Sequence, residues 1–319
     1  IYVSEKLNLP GNPYKSVKIL QRKDLFRKFL KDNGFNVPRS KSFDSINHAK
    51  EWAAHLIKNG PIIVKPSDSS GSKGLTKLNS INNFSKAFKI AKSRALNGPV
   101  VIEEFIERSI YEMDGDGFVW NGNLVFRTFG NQHNDAECNP YVPAGISFPY
   151  IQRESLQKKA HNIIDNILNK LNMKVGGLNI EYLTDKNNNI YILEIGPRNG
   201  GNCIPKVIKY STGVDLIEWA VESSLGKDCT DLKMKEPKGF YSSYIIHSRN
   251  NGKLKRIKFS DEIKKNIIEK NIWKEKYEEV EKFNGSNATI GTLILQFDTK
   301  IEMINKMDNM NNYIEARVE

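Results

Sequence analysis

The stretch GLNIEYLTDKNNNIYILEIGPRNGG, residues 177–201, places two acids, Glu181 and Glu194, inside otherwise apolar runs. Residues 179–183 and 190–195 read as two β-strands, and the intervening Thr-Asp-Lys-Asn-Asn-Asn is rich in residues that tolerate left-handed turn geometry. A tight turn at Asn187-Asn188 puts Glu181 directly opposite Glu194, with Cβ atoms about 4.5–5.5 Å apart on one face. Like charges so placed destabilise a sheet, and a divalent cation, Mg²⁺ most naturally, converts their repulsion into ligation. Acids on a solvated strand face are common, so the pair gains weight chiefly from the residues just beyond it. Arg198 and then Gly200-Gly201 bring a planar cation and small residues to the same strand end.

Working outward, 319 residues with 39% hydrophobic content suffice for two or three compact domains. No apolar run approaches the roughly 20 residues of a membrane span, and no leader pattern opens the chain, so neither a membrane partner nor secretion is expected. Three cysteines, Cys138, Cys203 and Cys229, lie far apart, which fits a reducing, cytoplasmic setting and argues against a Cys-based zinc site. The net charge of +11 is scattered, without basic blocks or interleaved aromatics, and no nucleic-acid partner is expected.

The organisation expected along the chain is α+β. Residues 1–16 read as an irregular lead-in. Helices are expected at 21–33 and from Ser45 to about Leu56, a strand at 61–65, a helix at 80–94, a strand at 99–104 and a hairpin around Asn121-Gly122. A long loop is expected at 130–149, a helix at 154–171, the acid-bearing hairpin, and a helix from Cys203 to about Leu225. A change of texture after residue 228 suggests a separate small α+β domain at 229–319, containing a polar helix between strands.

Four other segments carry chemistry. The loop Ser67–Gly74, flanked by Lys65 and containing Lys73, offers exposed N–H groups, hydroxyls and ammonium charges to a phosphate chain; it lacks the Walker A spacing and sits between two strands, so a plain hairpin loop is the competing reading. Glu103 to Ile106 end an apolar strand where backbone groups would meet an adenine edge, or simply solvent. Glu112 would accept from ribose hydroxyls or stand as a surface acid. Lys23, with Arg22, Arg27 and Lys28, reads most simply as part of a solvated helix face. His133, Asp135, Glu137 and Cys138 show no regular ligand spacing and read as ordinary loop residues rather than a second metal cluster.

Taken in order, these segments resemble the ATP-grasp superfamily, over about residues 17–225. The likeness is closest to its carbamoyl-phosphate-synthase-like and L-amino-acid-ligase-like branch, in which Leu-Pro-Gly leads into the first helix and Glu-Ile-Gly-Pro-Arg-x-Gly-Gly closes the site. The resemblance implies an ATP-grasp fold at 17–228, two α+β subdomains clasping ATP with 60–105 as the lid-type subdomain. By the same resemblance Lys23 and Lys65 hold the ATP phosphates, and Ser69, Ser70, Gly71, Ser72, Lys73 and Gly74 close over them. Glu103, Glu104, Phe105 and Ile106 read adenine, Glu112 binds ribose, and Leu183 and Leu193 line the base pocket. Glu181 and Glu194 carry Mg²⁺ or Mn²⁺, and Arg198, with Lys65 the catalytic candidate, stabilises the phosphate-bearing intermediate. Gly200, Gly201, Arg127 and His133 complete the substrate candidates.

The chain departs from the pattern twice. Gly196 stands where many relatives have an asparagine metal ligand, leaving Asn199 as the candidate substitute. The preceding α/β domain of the family is nearly absent from this sequence, and activity is expected to depend on it. The implied reaction joins a small-molecule carboxylate to an amine or thiol through an acyl phosphate, with ADP released and a homodimer plausible for the family. A non-catalytic ATP-binding subunit or nucleotide sensor is the competing expectation, and an unrelated basic adaptor a third.

Overall fold

The structure, a computed structural model, describes residues 1–319. The expected irregular lead-in is partly helical: α1 (Tyr2–Lys6) and α2 (Tyr14–Gln21) precede α3 (Lys23–Asp32). A first α+β unit is built from β1 (Ser40–Phe43), α4 (Ile46–Leu56), β2 (Ile62–Pro66), β3 (Thr76–Leu78), α5 (Phe84–Arg94) and β4 (Val100–Glu104). Its four strands pair antiparallel in the order β1-β4-β2-β3. Ala49, Ala53, Leu56, Phe84, Ala87, Phe88 and Ala91 recur at helical spacing on α4 and α5 and bury against Ile62, Val64, Val100 and Ile102. The unit expected at 60–105 therefore begins about twenty residues earlier, because β1 and α4 belong to its sheet and core.

The second sheet is assembled from β5 (Met113–Trp120), β6 (Asn123–Asn134), β7 (Pro143–Phe148), β8 (Gly176–Thr184) and β9 (Ile190–Gly196), with α6 (Glu154–Lys170), α7 (Ile204–Thr212) and α8 (Leu216–Ser224) around it. The β5–β6 turn is made by Asn121 and Gly122, both at positive φ (50° and 81°), as a two-residue hairpin of right-handed twist demands. The long loop expected at 130–149 is largely strand: β6 runs to Asn134 and β7 starts at Pro143. The helix expected from Cys203 to Leu225 is two helices, broken at Gly213 in the left-handed conformation.

The remaining elements are β10 (Phe240–His247), β11 (Gly252–Phe259), α9 (Asp261–Lys264), β12 (Ile267–Ile272), β13 (Glu279–Val280), β14 (Thr289–Phe297), α10 (Lys300–Asp308) and β15 (Ile314–Val318). The expected polar helix is a single turn, α9, succeeded by a strand. This segment builds its own core on Tyr244, Ile246, Leu293, Leu295, Met303 and Met307. The sheet nevertheless crosses the boundary expected at 228–229: β10 pairs with β7, giving one eight-stranded antiparallel sheet in the order β12-β14-β10-β7-β6-β5-β8-β9. β11, β13 and β15 form a small sheet beside it.

The large sheet has two buried faces, and the strand period of two assigns them. Leu178, Ile180 and Tyr182 pack on Ala160, Ile164, Ile167 and Leu168 of α6. Phe118, Phe126, Ile146 and Phe148 pack on Ile204, Val207 and Ile208 of α7 at the other face. Asn179, Glu181 and Leu183 thus share the α7 side, and there the four-stranded sheet meets the large one to leave a cleft.

Candidate active site

Glu181 and Glu194 are register partners, as the hairpin reading requires, but by a different route. The connection is not a two-residue turn: Asp185 organises it, its Oδ1 accepting from the backbone N–H groups of Asn187 (2.8 Å) and Asn189 (2.9 Å). This wider loop pairs Thr184 with Ile190, one step out of the register expected, and a β-bulge restores it between Tyr182↔Ile192 and Glu181↔Glu194. Leu193 is the extra residue. Ile192 and Ile195 both enter the α6 core, while Leu193 and Glu194, consecutive in sequence, both line the cleft.

The cleft, about 490 Å³, gathers Lys23, Lys65, the Ser69–Lys73 loop, Lys77, Glu103–Arg108, Glu112, Gln132, Tyr141, Glu181, Leu183, Leu193, Glu194 and Arg198. Lys23 Nζ lies 2.9 Å from Glu194 Oε2 and donates to Ser69 O at 2.9 Å, tying the acid pair to the Gly/Ser loop. That loop is held at its base by Lys23 N–H on Ser67 O (2.8 Å) and at its tip by Ser72 Oγ on Tyr141 O (2.7 Å). Gly74 closes it at positive φ (79°), where a side chain would be strained. At the opposite wall Lys77 Nζ sits 3.7 Å from the Phe105 ring centroid, and Phe105 meets Tyr141 edge-on. Of the backbone groups expected to read adenine, two donors are committed within the protein: Glu104 N–H to Arg39 O (3.0 Å) and Phe105 N–H to Pro61 O (2.9 Å).

Two charge clusters frame this cleft. Arg27, which the sequence places on a solvated helix face, is 3% exposed and bonds Glu103 Oε2 through Nε at 2.9 Å and Leu193 O through Nη1 at 2.9 Å. Lys65 pairs with the same carboxylate. Burial alone would raise Glu103, but Arg27 and Lys65 hold its carboxyl down at about 2. Burial, with the charge of Arg27 beside it, lowers Lys65 despite Glu103. Glu103 therefore spends its charge on positioning Lys65.

The second cluster is an excess of acid. β5 and the residue before it alternate Glu112, Asp114 and Asp116, and Asp114 is the register partner of Glu181. Asn179 Nδ2 donates to Asp114 Oδ1 (2.8 Å) and Asp116 Oδ1 (3.1 Å), while its Oδ1 accepts from Arg198 Nη1 (3.2 Å). Burial, reinforced by Asp116, pushes Asp114 up to about 8; burial likewise pushes Asp116 to about 7, against the Gly200 N–H that it accepts at 2.9 Å. Glu181 is driven well above the carboxylate range by burial and then by Asp114, Glu194 and Glu112. Only Glu194 is lowered, burial being overcome by Lys23. The donor set, carboxylate oxygens short of counter-charge, fits a hard divalent cation.

The other expected site residues stand outside the cleft. Arg127 lies on the α6 face and pairs with Asp165 at 3.4 Å. His133, 3% exposed, is held by Asp308 and Ser147, both at 2.8 Å. Its neighbour Gln132, of opposite strand parity, is the one that lines the cleft, with a buried Oε1 lacking a protein partner. Asn199 donates Nδ2 to Leu216 O at 3.0 Å, turned from the acid pair, and Gly200 serves Asp116. Gly201 is not among the lining residues. Sequence reasoning missed Arg27, Gln132, Asn179, Asp114 and Asp116. The alternation E-M-D-G-D on a hairpin strand was the available signal for the last two, since period-two acids share a face.

Two sheets closing on a cleft of lysines and paired acids define the ATP-grasp fold, and residues 58–206 match the family described as ATP-grasp domain. Over 237 residues the chain is 28% identical to the carbamoyl phosphate synthase large chain of Caldanaerobacter subterraneus, covering 73% of this chain and 21% of that protein. It therefore spans about a fifth of the length of the curated relatives it matches. The L-amino acid ligase of Bacillus licheniformis superposes with a TM-score of 0.82 at 18% identity, covering 100% of this chain and 78% of that one. The biotin carboxylase domain of the Hydrogenobacter thermophilus 2-oxoglutarate carboxylase, a dimer complexed with MgADP and bicarbonate, superposes at 0.74 with 14% identity, covering 99% and 71%. No helix of this chain is long and apolar enough to cross a membrane.

Proposed function

We propose that the chain is an ATP- and Mg²⁺-dependent ligase that joins the carboxylate of an amino-acid-like small molecule to an amine, or a thiol, through an acyl phosphate. The supporting observation is the convergence of Glu181, Glu194, Lys23, Lys65 and Arg198 on one cleft, beneath a Gly/Ser loop. A bound Mg²⁺ or Mn²⁺ would take oxygens of Glu181 and Glu194 and neutralise charge on the transferring phosphate. Lys23 already spans Glu194 and the loop and is placed to track the phosphate chain. Lys65, fixed by Glu103, offers a second ammonium, and Leu183, Leu193 and Ile106 supply apolar walls for a base.

In the reaction a carboxylate oxygen attacks the γ-phosphorus, the bond to the bridging oxygen breaks, and ADP leaves. The amine nitrogen then attacks the acyl carbon, loses a proton, and expels inorganic phosphate. Such transfer requires positioning and charge neutralisation rather than a protein nucleophile, and the cleft offers that. Arg198, held by Asn179, stands at the acid end, where charge accumulates on the acyl phosphate.

The test, made on the chain joined to the preceding α/β domain of the family, is ADP release from ATP and Mg²⁺ with a broad amino-acid panel, with mass detection of the condensed product. Turnover is expected, falling roughly 100-fold or more in Glu181→Gln and Glu194→Gln. ATP binding without turnover across the panel overturns the ligase reading in favour of a nucleotide sensor.

A further inference from the structure

Beyond the cleft, the loop of residues 135–142 and the end of β10 bring together Asp135, Cys138 and His247, whose ligand atoms all lie within 4.8 Å of one another. Asp135 and His247 are 4% and 7% exposed, and Cys138 is half-buried. The loop curls back on itself, Cys138 N–H and Asn139 N–H both donating to Asp135 O at 3.1 and 3.0 Å, and this turn returns the thiol to the carboxylate of Asp135.

The tautomer of His247 is set by its backbone partner. Nδ1 lies 2.7 Å from Ile245 O, which can only accept, so Nδ1 carries the proton. In a neutral ring Nε2 is then a lone pair, and it faces Asp135 Oδ2 at 3.0 Å, acceptor against acceptor. Something cationic must stand between them, either a second ring proton or a metal. An imidazole that donates one N–H to a carbonyl and turns its other nitrogen to a carboxylate and a thiol has the outer-shell arrangement of a metal-ligating histidine. Apart from Asp135, Cys138 Sγ has only a long contact to Ser248 O at 3.9 Å, and Asp135 already has a cation in Arg249, whose Nε is 3.3 Å away. The Phe283 ring, stacked on His247 at 4.3 Å, gives the group an apolar wall.

We infer that Asp135, Cys138 and His247 form a zinc site, with the fourth position open to water. One carboxylate, one thiolate and one neutral imidazole suit Zn²⁺ and leave the first shell without net charge. Binding would release the thiol proton to solvent, which burial and the neighbouring Asp135 hold on until about 11 without metal. Bound metal would pin the loop whose Tyr141 accepts from Ser72 of the Gly/Ser loop, and so join the C-terminal segment to the rim of the cleft.

Cobalt titration of the chain, after chelator treatment, tests this directly. A near-ultraviolet thiolate charge-transfer band that saturates at one thiolate-bound Co²⁺ per chain and is displaced by Zn²⁺ is expected, whatever further Co²⁺ the carboxylate site takes up. The band should persist in a Cys203→Ser, Cys229→Ser double variant and in Glu181→Gln, whose oxygen-ligand site gives no such band. Cys138→Ser should abolish it, and His247→Gln should weaken Co²⁺ affinity by at least about 10-fold. Absence of the band from the unaltered chain at saturating Co²⁺, or its survival in Cys138→Ser, overturns the assignment and leaves His247 and Asp135 a hydrogen-bonded pair.

Discussion

The two charge clusters beside the cleft both hold a glutamate, Glu103 buried and Glu181 half-buried, yet they behave oppositely. Around Glu103 the protein supplies its own counter-charge, Arg27 and Lys65, and the carboxyl is held down at about 2. Around Glu181 the neighbours are Asp114, Glu194 and Glu112, and the carboxyl is driven up. Where counter-charge is built in, an acid is positioning machinery; where it is withheld, the acids are left short of a cation, as the proposed Mg²⁺ site requires. His161 illustrates a third outcome. With no acid beside it, stacked on Phe129 and near Arg127, it resolves burial by staying neutral.

The largest effect expected from breaking this contrast is Glu103→Ala, which strands Arg27 and Lys65 without an anion and should cost roughly 3–5 kcal/mol of stability, read by urea denaturation. Glu181→Gln should do the reverse to the apo protein, leaving its stability unchanged or raising it by up to about 1 kcal/mol as like-charge repulsion is relieved. The unaltered chain should in turn be stabilised by saturating Mg²⁺, about 2.7 kcal/mol at a hundredfold excess over Kd, and Glu181→Gln should lose that increment. Equal losses in the two apo variants would dissolve the distinction between the clusters.

A further effect concerns pH. Burial, then Arg127, lowers His161 from its ordinary 6.5 to about 4. Between those values the unfolded chain binds a proton that the folded one does not, so the contribution is whole above about 6.5 and is lost as pH falls toward 4. Thermal midpoints across that window should decline less steeply in His161→Gln, and an unchanged slope would show that folding leaves the proton affinity of His161 as it is in the unfolded chain.

Much of the site was legible because it rests on local pattern. A turn at Asn187-Asn188 between two strand-like runs put Glu181 and Glu194 on one face, and the Gly/Ser loop between strands announced itself by composition. Even so, the acid pairing came out right through two departures that cancel, a wider loop and a bulge at Leu193, since a turn and a bulge each shift register by one. His133 was chosen over Gln132 because 130–149 reads as a loop, where parity has no meaning; in the strand that forms there, the face decides what meets the cleft. Arg27 looked solvated because helix periodicity does not reveal that a second sheet closes over the polar face. The boundary at 228 failed for a related reason, because composition changes there while hydrogen bonding between β7 and β10 does not stop.

Asp135 and Cys138 make the point most sharply. Read along the chain they lack ligand spacing, and the partner that gives them meaning, His247, is 112 residues away from Asp135. The sequence by itself determined the strands, the hairpins, the cation-bearing loop and the acid pair, all properties of neighbours within a dozen or so residues. Only the tertiary structure decided which acids receive a counter-charge, which face each strand turns to the cleft, and which distant side chains become ligands. Those outcomes depend on long-range pairing and burial, and the free energy of a charge is set by what folding brings to it.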